Sequence, residues 1–242
     1  MSLDRASGIF GLILIAVAII FTAVLIDGLR AVKRTTSEVI RDMVVDAMFI
    51  AIIMIMTFVP NVGYISVTPF ISFTLIHLPV LLGAALFGWK KGLLLGFVFG
   101  CSSYFQALTG GVSGLNLLFA YPWTAIPPRA LFGLLAGIAF SLIRKLHKGP
   151  LKGLYLGLAA AILTAVHTVL VFFDLYIFFP DTIGQLFLSS DPAGIGTALT
   201  FTLLIAIGMG GEMGLAAVVT PLLTIAVSKA VPRLTRSKQS RA

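Results

Sequence analysis

The chain has 242 residues, 59% of them hydrophobic and only 11% charged, with a mean hydropathy of +1.08. Soluble domains carry about 25% charged residues to keep their surface wetted, so this chain cannot cover a water-soluble globule and takes lipid as its solvent; a second, soluble domain has no room. Its net charge of +8 lies in short basic clusters between apolar runs, which is how membrane topology is written and argues against a nucleic-acid partner.

Seven apolar segments follow one another: Ile9 to Leu29, Val44 to Val59, Ile71 to Phe87, Leu93 to Leu108, Ala130 to Ile143, Leu154 to Phe179 and Leu199 to Val227. The fold class is therefore an all-α integral membrane protein, with a six-transmembrane-helix core bundle and an additional N-terminal transmembrane helix. Residues 1–35 form that helix and its cytoplasmic connection, 36–235 the six-helix substrate-binding membrane domain, and 236–242 a basic cytoplasmic tail. Several segments fall short of the ~20 residues of a full span, so some helices extend into their flanks or tilt little. The first segment also has the apolar core of a signal peptide, but its Asp4-Arg5 start is not clearly basic and no small-residue cleavage site precedes Asp27.

Charge fixes an orientation. With the first connection (Arg30, Lys33, Arg34, Arg41) in the cytoplasm, Lys90 and Lys91 also fall inside, as do the cluster from Arg144 to Lys152 and the basic residues from Lys229 to Arg241. That is 15 of the 17 basic residues; only Arg5 and Arg129 lie outside. The expected location is the cell membrane, multi-pass, with the C-terminus cytoplasmic and the N-terminus outside.

The connections differ by side. Those inside, Gly88 to Gly92 and Arg144 to Gly153, are short and basic. Those outside, Pro60 to Phe70, Thr109 to Arg129 and Pro180 to Ala198, are long and rich in Gly, Pro and aromatics. Such loops are too apolar for disorder and read as folded caps over a cavity opening outward. Glycines four apart (Gly92, Gly96, Gly100; Gly133, Gly137; Gly153, Gly157; Gly210, Gly214) place small faces where helices pack closely in lipid.

Polar groups at membrane depth are costly and so informative. Arg129 follows Ile126-Pro127-Pro128 at a predicted helix start. It is either a bidentate anchor for a carboxylate ligand or an interfacial arginine reaching headgroups. Asn116, Tyr121 and Trp123 in the preceding loop offer amide, hydroxyl and indole groups beside flat apolar faces, although belt aromatics serve membranes generally. Ser102, Ser103 and Gln106 share a face at the outer end of their segment. His77 lies near the outer start of the third segment. His167 and Glu212 lie at similar depth, where an ion pair would lower their burial cost, while Asp174 is read as close to the outer surface. No ligand spacing points to a metal, and no nucleotide motif or other cofactor signature is present. Gly111-Val112-Ser113-Gly114 matches the GxSG of rhomboid intramembrane proteases, with His167 as the base, but four residues in a Gly-rich loop are a weak signal.

The run from Thr74 to Gly88 (TLIHLPVLLGAALFG), followed by Lys91-Gly92, Gly96 and Phe99-Gly100, resembles the substrate-binding (S) components of energy-coupling factor (ECF) transporters. So does Ile126-Pro127-Pro128-Arg129-Ala130-Leu131 with Gly133 and Gly137. The likeness covers Arg41 to Val231 and is closest to the pantothenate-specific branch. It implies a non-enzymatic subunit that binds pantothenate, or else another water-soluble vitamin or precursor of riboflavin, folate, biotin, pyridoxine or thiamine type. It also implies partners: a transmembrane scaffold (T) subunit and two ATP-binding cassette ATPases, against which the S component reorients to release its vitamin inward. Ala47 and Ala51 match the AxxxA face by which the family docks the scaffold. The resemblance casts Arg129 as the carboxylate's counter-charge and Asn116, His77 and Gln106 as partners of its hydroxyls and amide.

Overall fold

The structure is a computed structural model; it describes residues 36–60, 62–66, 72–109, 114–146, 149, 151–188 and 192–231. The predicted N-terminal helix, the 236–242 tail and Ser113 lie outside the described residues. Seven α-helices are present among the described residues: α1 (Thr36–Phe58), α2 (His77–Phe87), α3 (Trp89–Leu108), α4 (Pro122–Leu146), α5 (Lys152–Phe178), α6 (Pro180–Leu188) and α7 (Pro192–Ala230). Between α1 and α2 stands an antiparallel hairpin of β1 (Tyr64–Ser66) and β2 (Ser72–Thr74), and a 3₁₀ turn (Gly114–Ala120) leads into α4.

An all-α membrane bundle is what the composition demanded, and the surface agrees. Ile138, Leu142, Leu158, Ile162, Val169, Phe173, Ile207 and Leu222 point outward and are exposed, the inverse of a soluble helix and the signature of a lipid-facing one. Helices α4 and α5 and the Ile205–Ala230 stretch of α7 are long and apolar enough to cross a membrane. Helix α2 has only 11 residues, because the third apolar segment divides: its first part forms strand β2. The two strands, not a longer helix, are the correction to the predicted span from Ile71.

Helices α3 and α4 form the tightest pair, and glycine explains it. A Cβ on Gly92 would strike the Gly133 carbonyl, one on Gly96 the Arg129 carbonyl, one on Gly100 the Ile126 backbone, and one on Gly137 the Trp89 backbone. With no hydrophobic drive between helices in lipid, such backbone approach supplies the packing energy. Gly157 likewise meets the Ala217 carbonyl on α7. Gly210 and Gly214 meet nothing within 4 Å, so the packing role predicted for that pair is not realised among the described residues.

At the end of the bundle carrying the basic turns, Gly88 adopts φ 87°, a left-handed conformation that favours glycine. It lets α2 reverse directly into α3. Arg144 Nη1 donates to the Ala85 and Leu86 carbonyls at 2.7 and 3.1 Å, satisfying the end of α2, while Lys91 pairs with Asp46 and ties α3 to α1. The hairpin, the 3₁₀ turn and α6 gather at the opposite end. The described parts of the loops predicted as caps thus carry secondary structure of their own.

Candidate ligand-binding cavity

Between the hairpin, the 3₁₀ turn, α4, α5 and α7 lies a cavity of about 120 Å³. Its walls are mostly apolar, with Phe73, Phe119, Phe172 and Leu175 prominent, and its polar groups are few and convergent: Tyr64, Thr74, Asn116, Arg129, His167, Thr168 and Glu212. A concave, mostly apolar site with a few placed polar groups is the usual form of a small-molecule pocket.

Arg129 is 3% exposed and is the one arginine or lysine lining the cavity among the described residues. Helix α4 begins at Pro122, not near Arg129 as predicted, so Arg129 lies two turns inside it and Pro127 and Pro128 are internal. Proline has no N–H to give; Pro127 and Pro128 therefore free the Trp123 and Thr124 carbonyls of their helical partners. Arg129 Nη1 donates back to Ala125 O at 2.8 Å and to Thr124 O at 3.4 Å. Its guanidinium lies 4.1 Å from the Phe119 ring centroid and 5.1 Å from that of Phe99, both within cation–π range. Among the described residues no carboxylate forms an ion pair with it, and its Nε has no partner. A desolvated cation held by ring faces and two carbonyls is costly to bury, and an incoming anion would relieve that cost.

His167 forms the floor. Its ring lies 4.8 Å from Phe132, 5.6 Å from Phe99 and 6.2 Å from His77, centroid to centroid, the last nearly parallel at 21°. Neither His167 nitrogen has a hydrogen-bond partner among the described residues. The predicted His167–Glu212 ion pair is not formed: Glu212 Oε1 instead accepts the backbone N–H of Thr74. Asp174, read from sequence as close to the outer surface, is buried. It is 9% exposed, with Oδ2 unpartnered among the described residues.

The hairpin is the roof. Tyr64 and Thr74 stand directly opposite across the two strands, so both side chains fall on one face, and both line the cavity. The Leu75 N–H donates to Gly63 O at 2.7 Å, closing the hairpin base. A Cβ on Gly63 would collide with the Met56 carbonyl, so glycine there seats the roof on α1. The Tyr64 hydroxyl lies 2.9 Å from Ser103 Oγ, which donates to Phe99 O at 3.0 Å.

Of the residues singled out from sequence, Arg129, Asn116 and His167 line the cavity. His77 is fully buried one ring behind His167, and Ser103 orients Tyr64 without reaching the cavity. Three others stand elsewhere. Gln106 turns to α1, its Nε2 donating to Thr57 O at 2.8 Å. Tyr121 is 42% exposed and stacks with Trp123 at 5.1 Å and Phe179 at 5.3 Å, and Trp123 packs against Phe178 at 6.3 Å, an aromatic cluster outside the cavity. Sequence reasoning missed Thr74, Phe73 and Thr168 as lining residues, and placed Glu212 at the right depth but in the wrong partnership. Ala47 and Ala51 both lie exposed on one face of α1.

A family model described as the substrate-specific component of ECF transporters matches residues 41–224. Pantothenic acid transporter PanT of Lactococcus lactis subsp. cremoris is 34% identical over 160 residues, which cover 59% of this chain and 76% of that protein. Pantothenate transporter PanT of Leuconostoc mesenteroides subsp. mesenteroides is 31% identical over 130 residues, covering 52% of this chain and 64% of the relative.

Proposed function

Because the chain belongs to the family of ECF transporter substrate-specific components, a family of transport proteins and not of enzymes, we propose that its ligand is pantothenate. Two relatives carry that vitamin in their names. The observation that carries the reading is Arg129: a buried cation in direct ion-pair contact with no carboxylate among the described residues, with Asp174 acting on it only from beyond contact distance, at the wall of a mostly apolar cavity. Pantothenate ends in a carboxylate, and a guanidinium matches it with two parallel, charge-assisted hydrogen bonds. Asn116 offers an amide to the ligand's central amide, and the His167 ring lines the floor beneath it.

The remainder of the cycle follows from the family's division of labour. The basic end of the bundle faces the cytoplasm of a multi-pass cell-membrane protein, and the cavity end faces outward. Ala47 and Ala51 leave a flat strip on α1, flanked by exposed Met43, Val44, Met48 and Ile55, on which a transmembrane scaffold subunit docks. Two ATPases bound to that scaffold supply the energy that reorients the loaded bundle and opens the cavity inward.

Binding of labelled pantothenate to the purified chain tests the ligand, with riboflavin, folate, biotin, pyridoxine and thiamine as competitors. Saturable binding displaced only by unlabelled pantothenate supports the reading. Displacement by another vitamin, with no pantothenate binding, replaces it with the second reading, an S component for that vitamin.

A further inference from the structure

Unlike charges inside a membrane protein normally pair, because each is costly to bury alone. In this cavity they are held apart. Arg129 belongs to α4 and donates from Nη1 to carbonyls of its own helix. Glu212 belongs to α7, is 8% exposed, and uses Oε1 to accept the Thr74 N–H. Helix α5 packs against both α4 and α7 and stands between them. The two charged groups thus line one cavity from separate walls without an ion pair between them. The second Glu212 oxygen, Oε2, has no hydrogen-bond partner among the described residues, yet it is not among the sealed-off polar atoms. It is an acceptor that is not sealed off, on a residue that lines the cavity.

We infer that Glu212 is a specificity-determining residue, its free oxygen accepting a hydroxyl proton from the end of the ligand opposite the carboxylate. The site then reads a molecule by its polarity, anion toward α4 and hydrogen-bond donor toward α7. In its ionised form the carboxylate only accepts, so in that form it repels a ligand that presents a second anion or a bare acceptor at that end and holds one that presents a hydroxyl. This inference rests on the pantothenate reading, since that vitamin carries its two hydroxyls on the acyl portion, away from the carboxylate. It adds a requirement that Arg129 cannot impose, because Arg129 sees any carboxylic acid alike. Thr74 links recognition to the roof: the same carboxyl group that meets the ligand pins β2 above it.

The competing role is a latch alone, fastening the hairpin to α7. Glu212→Gln separates the two. Glutamine keeps an oxygen to accept the Thr74 N–H but replaces the open acceptor by an NH₂ donor. Binding is measured by titration calorimetry on the purified full chain, with pantothenate and with two analogues, each lacking one of its hydroxyls. A hydrogen bond to a charged group predicts that E212Q weakens pantothenate binding about tenfold or more. For the analogue missing the recognised hydroxyl, wild type and variant bind within about twofold of each other. Equal weakening for all three ligands, or none, overturns the assignment and leaves the latch. Retained binding of the deoxy analogue shows that the variant is folded. If wild type binds no pantothenate, the vitamin reading fails first, a result distinct from either pattern.

Discussion

Replacing Arg129 by methionine pulls binding and stability in different directions, which makes it the sharpest test of the cavity. The guanidinium is 3% exposed, so a carboxylate bound there is desolvated with it. Truncating one partner of such a buried pair costs 2–5 kcal/mol, and about 3 kcal/mol corresponds to roughly 150-fold in Kd. Stability follows another account. The change removes the 2.8 Å bond to Ala125 O and the 3.4 Å bond to Thr124 O, each worth about 1 kcal/mol. It also removes the ring contact 4.1 Å from Phe119, worth about 1–2 kcal/mol. Against these stands relief of an unpaired buried cation, several kcal/mol by itself, and methionine fills much of the vacated space. The ligand-free Arg129→Met protein therefore melts at or above the wild-type temperature while pantothenate binding falls. Calorimetry gives Kd, and tryptophan fluorescence on heating gives Tm. Panthenol, in which an alcohol replaces the carboxylate, should bind wild type and variant within about threefold, having no charge to lose. The reasoning is refuted if Tm drops by several degrees in step with binding, or if panthenol suffers as pantothenate does; Arg129 would then be a brace for α4.

Three further substitutions probe other parts of the argument. Gly96→Leu drives a side chain into the Arg129 backbone, so it should destabilise the bundle by about 3 kcal/mol, read as a lower Tm and poor recovery from detergent; wild-type stability would remove the close α3–α4 approach. Gln106→Leu forfeits one hydrogen bond to Thr57 O and should cost about 1 kcal/mol of stability while pantothenate Kd changes less than about threefold; a larger binding loss would put Gln106 back in the site. Ala47→Trp raises a bulky ring on the exposed strip of α1, so uptake and co-purification with a scaffold subunit should be lost with binding intact. Undiminished uptake would remove the docking face.

Much of this was open to reading because lipid imposes simple rules. Apolar runs had to become helices, since no other open structure satisfies its backbone in hydrocarbon, and lysines collected at one end. Arg129 stood out for the same reason, as a lone cation at apolar depth. What stayed hidden depends on tertiary partners. Ile71 to Thr74 runs on into the apolar helix after it, and nothing local says that Ser72 to Thr74 pairs with Tyr64 to Ser66 instead. The pairing turns Tyr64 and Thr74 into a roof, and Thr74 then takes the Glu212 carboxylate that depth alone had assigned to His167. Gln106 and Ser103 share a helical face, yet α1 claims the first and the hairpin the second.

The doubled proline shows the limit most clearly. Proline at a first helical turn is a start signal, because its missing N–H is an orphan there in any case, so Pro127-Pro128 read as the beginning of a helix at Ala130. In the bundle α4 starts at Pro122, and the prolines lie in its second turn. That placement removes the helical donors of the Trp123 and Thr124 carbonyls. Arg129 supplies a donor to one of them, at Thr124, from a side chain that must be buried to do so. With the shorter bond to Ala125 O, it holds the guanidinium at the cavity wall. A helix start at Ala130 would have carried Arg129 to the interface, where headgroups would have claimed it; a start at Pro122 keeps it inside, in direct contact with no carboxylate among the described residues.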